Sequence, residues 1–270
     1  MIKLYDLLLE QIGKPKAIIL AGAPGAGKGY VLKGLDLSNL KVLNIDNTYI
    51  EKLKQANISL DLKNSSPEER SKQAVAMAAS NKEFKDSVKT TIEAKESFVL
   101  DGTAASYKQT AELKDELEKA GYKVMMLYVY TDLERSLQQN QDRFEKSGGE
   151  DRSLPPAIVM RTWMNVTKNY EPYRELFGGY ASSNFALVSN TLDDNKLSDI
   201  EDIINKYLTP FRPTGTKEKT PAQKEKSSKE YAEMKDDIQK LLGDEFVKDI
   251  TSDSLSKEEA QMRIEKFLRS

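Results

Sequence analysis

Five short apolar runs punctuate the chain, and a different pattern fills the space between them. Residues 16–21 (KAIILA), 41–45 (KVLNI), 97–101 (SFVLD), 122–130 (YKVMMLYVY) and 184–189 (NFALVS) are aliphatic, β-branched or aromatic with little alternation. That is the composition of strands buried on both faces. Between them, apolar positions recur at three- and four-residue spacing, which predicts helices at about 28–35, 109–120, 132–146 and 197–208. Gly121 is placed to end the second of these as a left-handed residue, and Thr131 to cap the start of the third. Strands that alternate with helices read as βαβ units, so the fold class is α/β, a doubly wound, mainly parallel sheet.

Two stretches interrupt the alternation. Residues 47–96 lie between the second and third strands and are patterned as helix, with Ser66-Pro67-Glu68-Glu69 as a clear helix start. Residues 147–156 (SGGEDRSLPP) are polar and rich in Gly and Pro, the composition of a charged, mobile lid between two helices. After Phe211 the pattern fades. Residues 212–228 have almost no apolar positions and read as a linker, and residues 229–270 return to helical spacing around 229–242 and 257–268. The expected organisation is therefore a main domain over 1–211, a linker over 212–228 and a helical tail over 229–270. The tail is expected to dock on the main domain, on a partner or on a second copy of the chain.

Composition removes whole classes of chemistry. The 270 residues contain no cysteine and no histidine. Disulfides, Cys/His zinc sites, thiol nucleophiles, Ser-His-Asp triads and imidazole proton shuttles are all excluded. Asp, Glu, Lys, Arg, backbone N–H groups and Mg²⁺ remain. The 41 Lys+Arg against 43 Asp+Glu argue against a broadly basic nucleic-acid binder, and the tail divides evenly into 13 basic and 13 acidic residues from 212 onward. No run approaches the roughly 20 apolar residues of a membrane span. The first 14 residues place Ile2, Leu4, Leu8, Leu9 and Ile12 at amphipathic spacing among Asp6 and Glu10, unlike a signal peptide, so a cytoplasmic protein is expected.

The strongest chemical signal is Gly22-Ala23-Pro24-Gly25-Ala26-Gly27-Lys28-Gly29. It follows an apolar strand and opens a helix, the context of a phosphate-binding loop. Its glycines let successive N–H groups turn inward, the helix start adds partial positive charge, and Lys28 can reach the β- and γ-phosphates. Asp101, at the end of the third run, stands where a Mg²⁺-orienting carboxylate belongs in such a fold, acting directly or through water. Asp46 lies just past the second run, at the strand end where ligands bind. It can take a proton from a hydroxyl acceptor, or it can cap the following helix. Arg143 and Arg152, one before and one inside the lid segment, can neutralise a transferring phosphoryl group; Arg135 and Arg161 are weaker candidates. Trp163, Tyr170, Tyr173 and Phe177 share a helical face that reads as core, and Asn190 follows the fifth strand.

The run GAPGAGKG resembles the phosphate loop of adenylate kinases, with two departures. Gly29 occupies the place of the general Ser/Thr, and Tyr30 stands where those kinases have Thr. Leu100-Asp101-Gly102 is similar to nucleoside monophosphate kinases, but Thr103-Ala104-Ala105 follows instead of their grip on an acceptor phosphate. Asp46, together with Arg143, Arg152 and the Pro-terminated lid, resembles the zeta-toxin and polynucleotide-kinase-like branch. Over residues of about 16–208 the chain thus resembles a P-loop kinase of the nucleoside/nucleotide-kinase-like superfamily, a type common in tailed phages. The resemblance implies strand order 2-3-1-4-5, ATP and Mg²⁺ as cofactors, and Asp46 as base. The acceptor would be held by the helical insertion and the lid: a hydroxyl or phosphate of a nucleoside, nucleotide, nucleotide-sugar or nucleic-acid 5′ end, with long nucleic acid disfavoured by the even charge. The alternative is a nucleotide-binding interaction protein that keeps the fold with little turnover, motivated by the missing hydroxyls at Gly29 and Tyr30.

Overall fold

The computed structural model describes residues 13–35, 37, 40–179, 182, 184–191, 221–243, 250 and 252–270. The amphipathic segment over 1–12 and the expected helix at 197–208 lie outside the described residues. Five strands form one sheet: β1 (Lys16–Ala21), β2 (Lys41–Asn44), β3 (Phe98–Asp101), β4 (Lys123–Tyr130) and β5 (Phe185–Ser189). Their order is β2-β3-β1-β4-β5 and every pairing is parallel, as expected. The register sets Asn44 opposite Asp101 and Ala21 opposite Tyr128, which brings the carboxyl ends of β2, β3, β1 and β4 to one edge.

The central strands are the apolar, buried ones, whereas the edge strand β2 leaves Lys41 and Val42 exposed. All six residues of β1 are buried, and so are seven of the eight in β4. The helices in chain order are α1 (Lys28–Gly34), α2 (Ile45–Gln55), α3 (Pro67–Glu93), α4 (Tyr107–Lys119), α5 (Leu133–Lys146), α6 (Pro156–Lys168), α7 (Tyr170–Leu176), α8 (Pro221–Gly243) and α9 (Lys257–Arg269). Local chemistry sets their ends. Ser66 and Glu69 form the reciprocal capping box at the start of α3. Gly121, at φ 90°, closes α4, with its N–H on Glu118 and the Tyr122 N–H on Leu117.

The cap of α5 differs from expectation. Asp132, not Thr131, accepts the Arg135 N–H at 2.7 Å. Thr131 still belongs to the strand end, where its hydroxyl is drawn to the Asn190 carbonyl at 2.9 Å.

The insertion between β2 and β3 comprises α2, a single 3-10 turn at Leu62–Asn64, and α3. It has its own small apolar cluster of Tyr49, Leu53, Ile58, Leu60 and Ala76, against which Phe144 of α5 packs.

The tail corrects the expected linker boundary. α8 begins at Pro221, so eight of the residues assigned to a linker are helical. Ala, Gln, Lys and Glu over 222–226 favour helix although they carry no apolar stripe. The tail's apolar residues pack on the main domain: Met234, Ile238, Leu241, Ile250, Ile264 and Phe267 join the main core. No helix among the described residues is long and apolar enough to cross a membrane.

Candidate active site

The segment between β1 and α1 wraps at the centre of the carboxyl edge. Gly25 and Gly27 have φ of 76° and 81°, and a Cβ would collide with the Ser136 carbonyl at the first and the Asn190 side chain at the second. Groups behind the loop draw its carbonyls outward. Ser136 Oγ donates to the Pro24 carbonyl at 2.6 Å, and Asn190 Nδ2 donates to Ala26 at 2.9 Å. Gln139, with its amide turned so that both ends are satisfied, donates to Gly25 and accepts from Arg135 Nε, each at 2.7 Å. Among the described residues, no acceptor takes the N–H groups of Gly25, Gly27, Lys28 or Gly29. These free donors at a helix start form a cradle for an anion.

Lys28 curls over this cradle, its Nζ donating to the carbonyls of Gly22 at 2.8 Å and Ala23 at 3.1 Å. Burial pushes its ammonium down to about 8, against the upward pull of Asp101 and Asp46 and with the added downward push of Arg143 and Arg152. The five groups are therefore within electrostatic reach of one another. Burial also raises the Asp101 carboxyl, opposed by Lys28 and by a 2.5 Å hydrogen bond from Asn44 Nδ2. Asn44 has a second role. Its Oδ1 accepts the Asp46 N–H at 2.7 Å, so Asn44 is the cap of α2 and leaves the Asp46 carboxylate free for other work.

That carboxylate meets Arg152, Nη2 to Oδ1, at 2.5 Å. The Arg152 side chain is only 11% exposed, its Nε is buried without a partner, and its guanidinium lies 6.0 Å from the Tyr49 ring centroid. Arg143, half exposed in the last turn of α5, pairs with Asp151.

α5 organises much of this. Ser136, Gln139, Asn140 and Arg143 fall at i, i+3, i+4 and i+7, one face of the helix. The first two brace the glycine-rich loop, Asn140 holds the Leu154 backbone, and Arg143 reaches the arginine-bearing segment.

Other expected positions fall elsewhere. Arg135 Nη1 binds the Thr191 carbonyl at 2.5 Å, tying α5 to the end of β5. Arg161 is exposed on α6. Tyr30 is 74% exposed, and Gly29 faces open space, so neither supplies a hydroxyl to the loop. Trp163, Tyr170, Tyr173 and Phe177 are core, each 2% exposed or less. Tyr173 also donates to Ala104, a residue held at φ 51° beside the site. Within the expected lid segment, Leu154 is bonded to Asn140 and Ser153 to Leu60 of the insertion. Asn44, Tyr49, Ser136, Gln139 and Asn140 also line or brace the site and belong to no sequence motif. Only Asn44, two residues before Asp46 at a strand end, carries a local signal, that of an Asx cap.

For Mg²⁺ the donors present are the Asp101 and Asp46 carboxylates. Among the described residues there is no cluster of three or more metal-ligating side chains. With Asp46 engaged by Arg152, Asp101 is the carboxylate that fits this ion, which takes one or two carboxylates and completes its shell with phosphate oxygens and water.

A family model described as zeta toxin matches residues 4–177. No curated protein matches the sequence. Among solved structures, the AvrRxo1-ORF1:-ORF2 complex with ATP is 16% identical, covering 96% of this chain and 78% of that one at a TM-score of 0.50. A structure of the PezAT chromosomal toxin–antitoxin system of Streptococcus pneumoniae is 15% identical, covering 86% and 88% at a TM-score of 0.45. At 16% identity the likeness to the first of these concerns the fold alone.

Proposed function

The chain belongs to the zeta-toxin family, and from that membership we propose that it is an ATP-dependent phosphotransferase acting on a hydroxyl acceptor. The observation that supports this most is the convergence of Lys28, Asp46, Asp101, Arg143 and Arg152 around the loop at the carboxyl edge of the sheet. The free N–H groups and Lys28 hold the β- and γ-phosphates. Asp101, oriented by Asn44, is the residue that would hold Mg²⁺, which when bound neutralises charge on those phosphates.

Asp46 takes the proton of the acceptor hydroxyl as its oxygen attacks the γ-phosphorus and the bond to the β-phosphate oxygen breaks. Arg152 stands at that carboxylate with an unused Nε, placed to accept charge that develops on the transferring group, and Arg143 adds a second cation. The acceptor, a nucleoside, nucleotide, nucleotide-sugar or nucleic-acid 5′ end, lies between this centre and the insertion.

Incubation of the full chain with γ-labelled ATP, Mg²⁺ and a panel of these acceptors tests the reading. Label should move to one class, and K28A and D46N should abolish the transfer. Absence of transfer to every acceptor, or transfer that survives K28A, would overturn it. The exposed Tyr30 and the bare Gly29 favour a second reading, a nucleotide-binding interaction protein with little turnover. Tight, K28A-sensitive nucleotide binding without transfer would select that one.

A further inference from the structure

Residues 152–154 are fixed from two directions. On one side Asn140 of α5 donates to the Leu154 carbonyl at 2.9 Å and accepts the Leu154 N–H at 3.2 Å. On the other, the Ser153 N–H donates to the Leu60 carbonyl at 3.1 Å and Ser153 Oγ to Asp61 Oδ1 at 2.7 Å. These bonds make a parallel bridge between Asp61 and Ser153, 92 residues apart, and Ser153 is fully buried in it.

Asp61 is itself braced. Asn64 Nδ2 donates to its second oxygen at 2.5 Å, and its N–H rests on Ser59 Oγ at 3.1 Å. Behind the junction, Leu60 sits in the insertion's apolar cluster, into which α5 inserts Phe144. The insertion and the arginine-bearing segment are thus joined by hydrogen bonds at one point and by apolar packing at another. Arg152 is the residue immediately before the joint.

We propose that Asp61 and Ser153 are positioning residues for Arg152: by locking the arginine-bearing segment onto the insertion they hold its guanidinium at Asp46. The proposal rests on the phosphotransferase reading and adds to it a coupling. An acceptor seated on the insertion and the arginine that neutralises the transferring group share one rigid joint, so neither shifts without the other. Asp61 touches no reacting atom and acts through Ser153. The second oxygen of Asp61 accepts from the Asn64 amide, so one oxygen is left for Ser153; an amide at 61 keeps that acceptor, its NH2 donating to Asn64 once the Asn64 amide turns its oxygen inward.

The test uses the full chain with D61A, D61N, S153A and the D61A/S153A pair, and R152A for reference. Two measurements are made. The first is Mg·ATP turnover, read as ADP release with water as acceptor, with the KM for ATP. The second is hydrogen exchange at the Ser153 and Leu154 amides. D61A and R152A should each lower kcat by about tenfold or more, the range for a lost transition-state charge contact, with KM for ATP within about twofold. D61N should recover to within about threefold of the parent, because its Oδ1 still accepts from Ser153. The double variant should be no worse than either single one, as expected of residues acting through one contact. Exchange at Ser153 should quicken in D61A and return in D61N, while β1 and β4 stay protected.

The proposal is overturned by a D61A that keeps full turnover where R152A loses it. It is equally overturned by a loss shared by kcat and KM, by the absence of D61N rescue, or by unchanged exchange at Ser153. A parent chain that neither turns over ATP nor labels any acceptor overturns the phosphotransferase reading instead, and the exchange measurement alone then decides whether Asp61 holds residues 152–154.

Discussion

At the scale of single residues, Lys28 carries the clearest chemical consequence. In the free fold its ammonium loses its proton around pH 8, because burial outweighs the two nearby carboxylates. A triphosphate favours the charged form and raises that value in the complex, so above about pH 8 binding must take up a proton. Nucleotide affinity should therefore be flat from pH 6 to about 7.5 and then weaken toward tenfold per pH unit. An ordinary lysine would hold it level to pH 10. Titration with a fluorescent ATP analogue across this range checks the sign, and K28A should flatten the curve at a weaker level. The neighbouring Gly29 gives a second expectation. A Cβ there meets nothing within 4 Å, so G29S places a hydroxyl beside the cradle without collision. If Asp101 holds Mg²⁺, this added oxygen should strengthen Mg²⁺-dependent nucleotide binding by roughly threefold or more. An unchanged Mg²⁺ titration would count against that placement.

At the scale of elements, α5 supports the glycine-rich loop, carries Arg143 and, through Asn140, holds the segment that bears Arg152. The fully buried Ser136 is bonded to Pro24, so S136A strands a loop carbonyl. It should cost about 1–3 kcal/mol, seen as a lower melting temperature, together with weaker nucleotide binding. Were stability and affinity both unaffected, the loop would not need this brace. The strands were legible because each is a short, mostly apolar run, and β1 and β4, buried along almost their whole length, admit little other composition. The loop was legible because its glycines and lysine are contiguous. The roles along α5 were not. Ser136, Gln139 and Asn140 are ordinary polar helix residues until their partners, 112 positions away for Pro24 and 14 for Leu154, are brought to them. Asp46 was legible as a strand-end carboxylate, but its pairing with Arg152 depends on the insertion folding back onto the arginine-bearing segment. No local pattern encodes that return. Thr131 failed as a cap for a related reason, since a contact with Asn190, on a different strand end, outcompeted the local one.

At the scale of the whole molecule, the tail completes the sheet. β5 is an edge strand, and an edge with free carbonyls is a template for unwanted pairing. Here the Leu255 N–H donates to the Leu187 carbonyl at 2.8 Å, and Arg263 Nη1 donates to Phe185 at 2.7 Å. Phe267 slides beneath the start of β1, where Lys16 Nζ stands 5.4 Å from its ring. Lys168–Asp237 and Arg174–Asp253 pairs tie the tail to α6 and α7. The ion pairs are partly exposed and contribute little, whereas each buried apolar side chain contributes about 1.5–3 kcal/mol. Apolar burial therefore decides the docking. Removing residues 221–270 should then do more than shorten the chain. It uncovers the β5 carbonyls and the apolar surface under Ile238, Leu241, Ile264 and Phe267, and the truncated protein should scatter light as aggregates or melt well below the parent. F267A, which opens a cavity and leaves the edge bonds in place, should cost about 3–5 kcal/mol without aggregation at low temperature. A truncated chain that stays monomeric with the parent's melting temperature would show that the tail is an accessory. A fall in both stability and nucleotide binding would show that the edge strand, through Asn190 and its bond to Ala26, carries the tail's support as far as the glycine-rich loop.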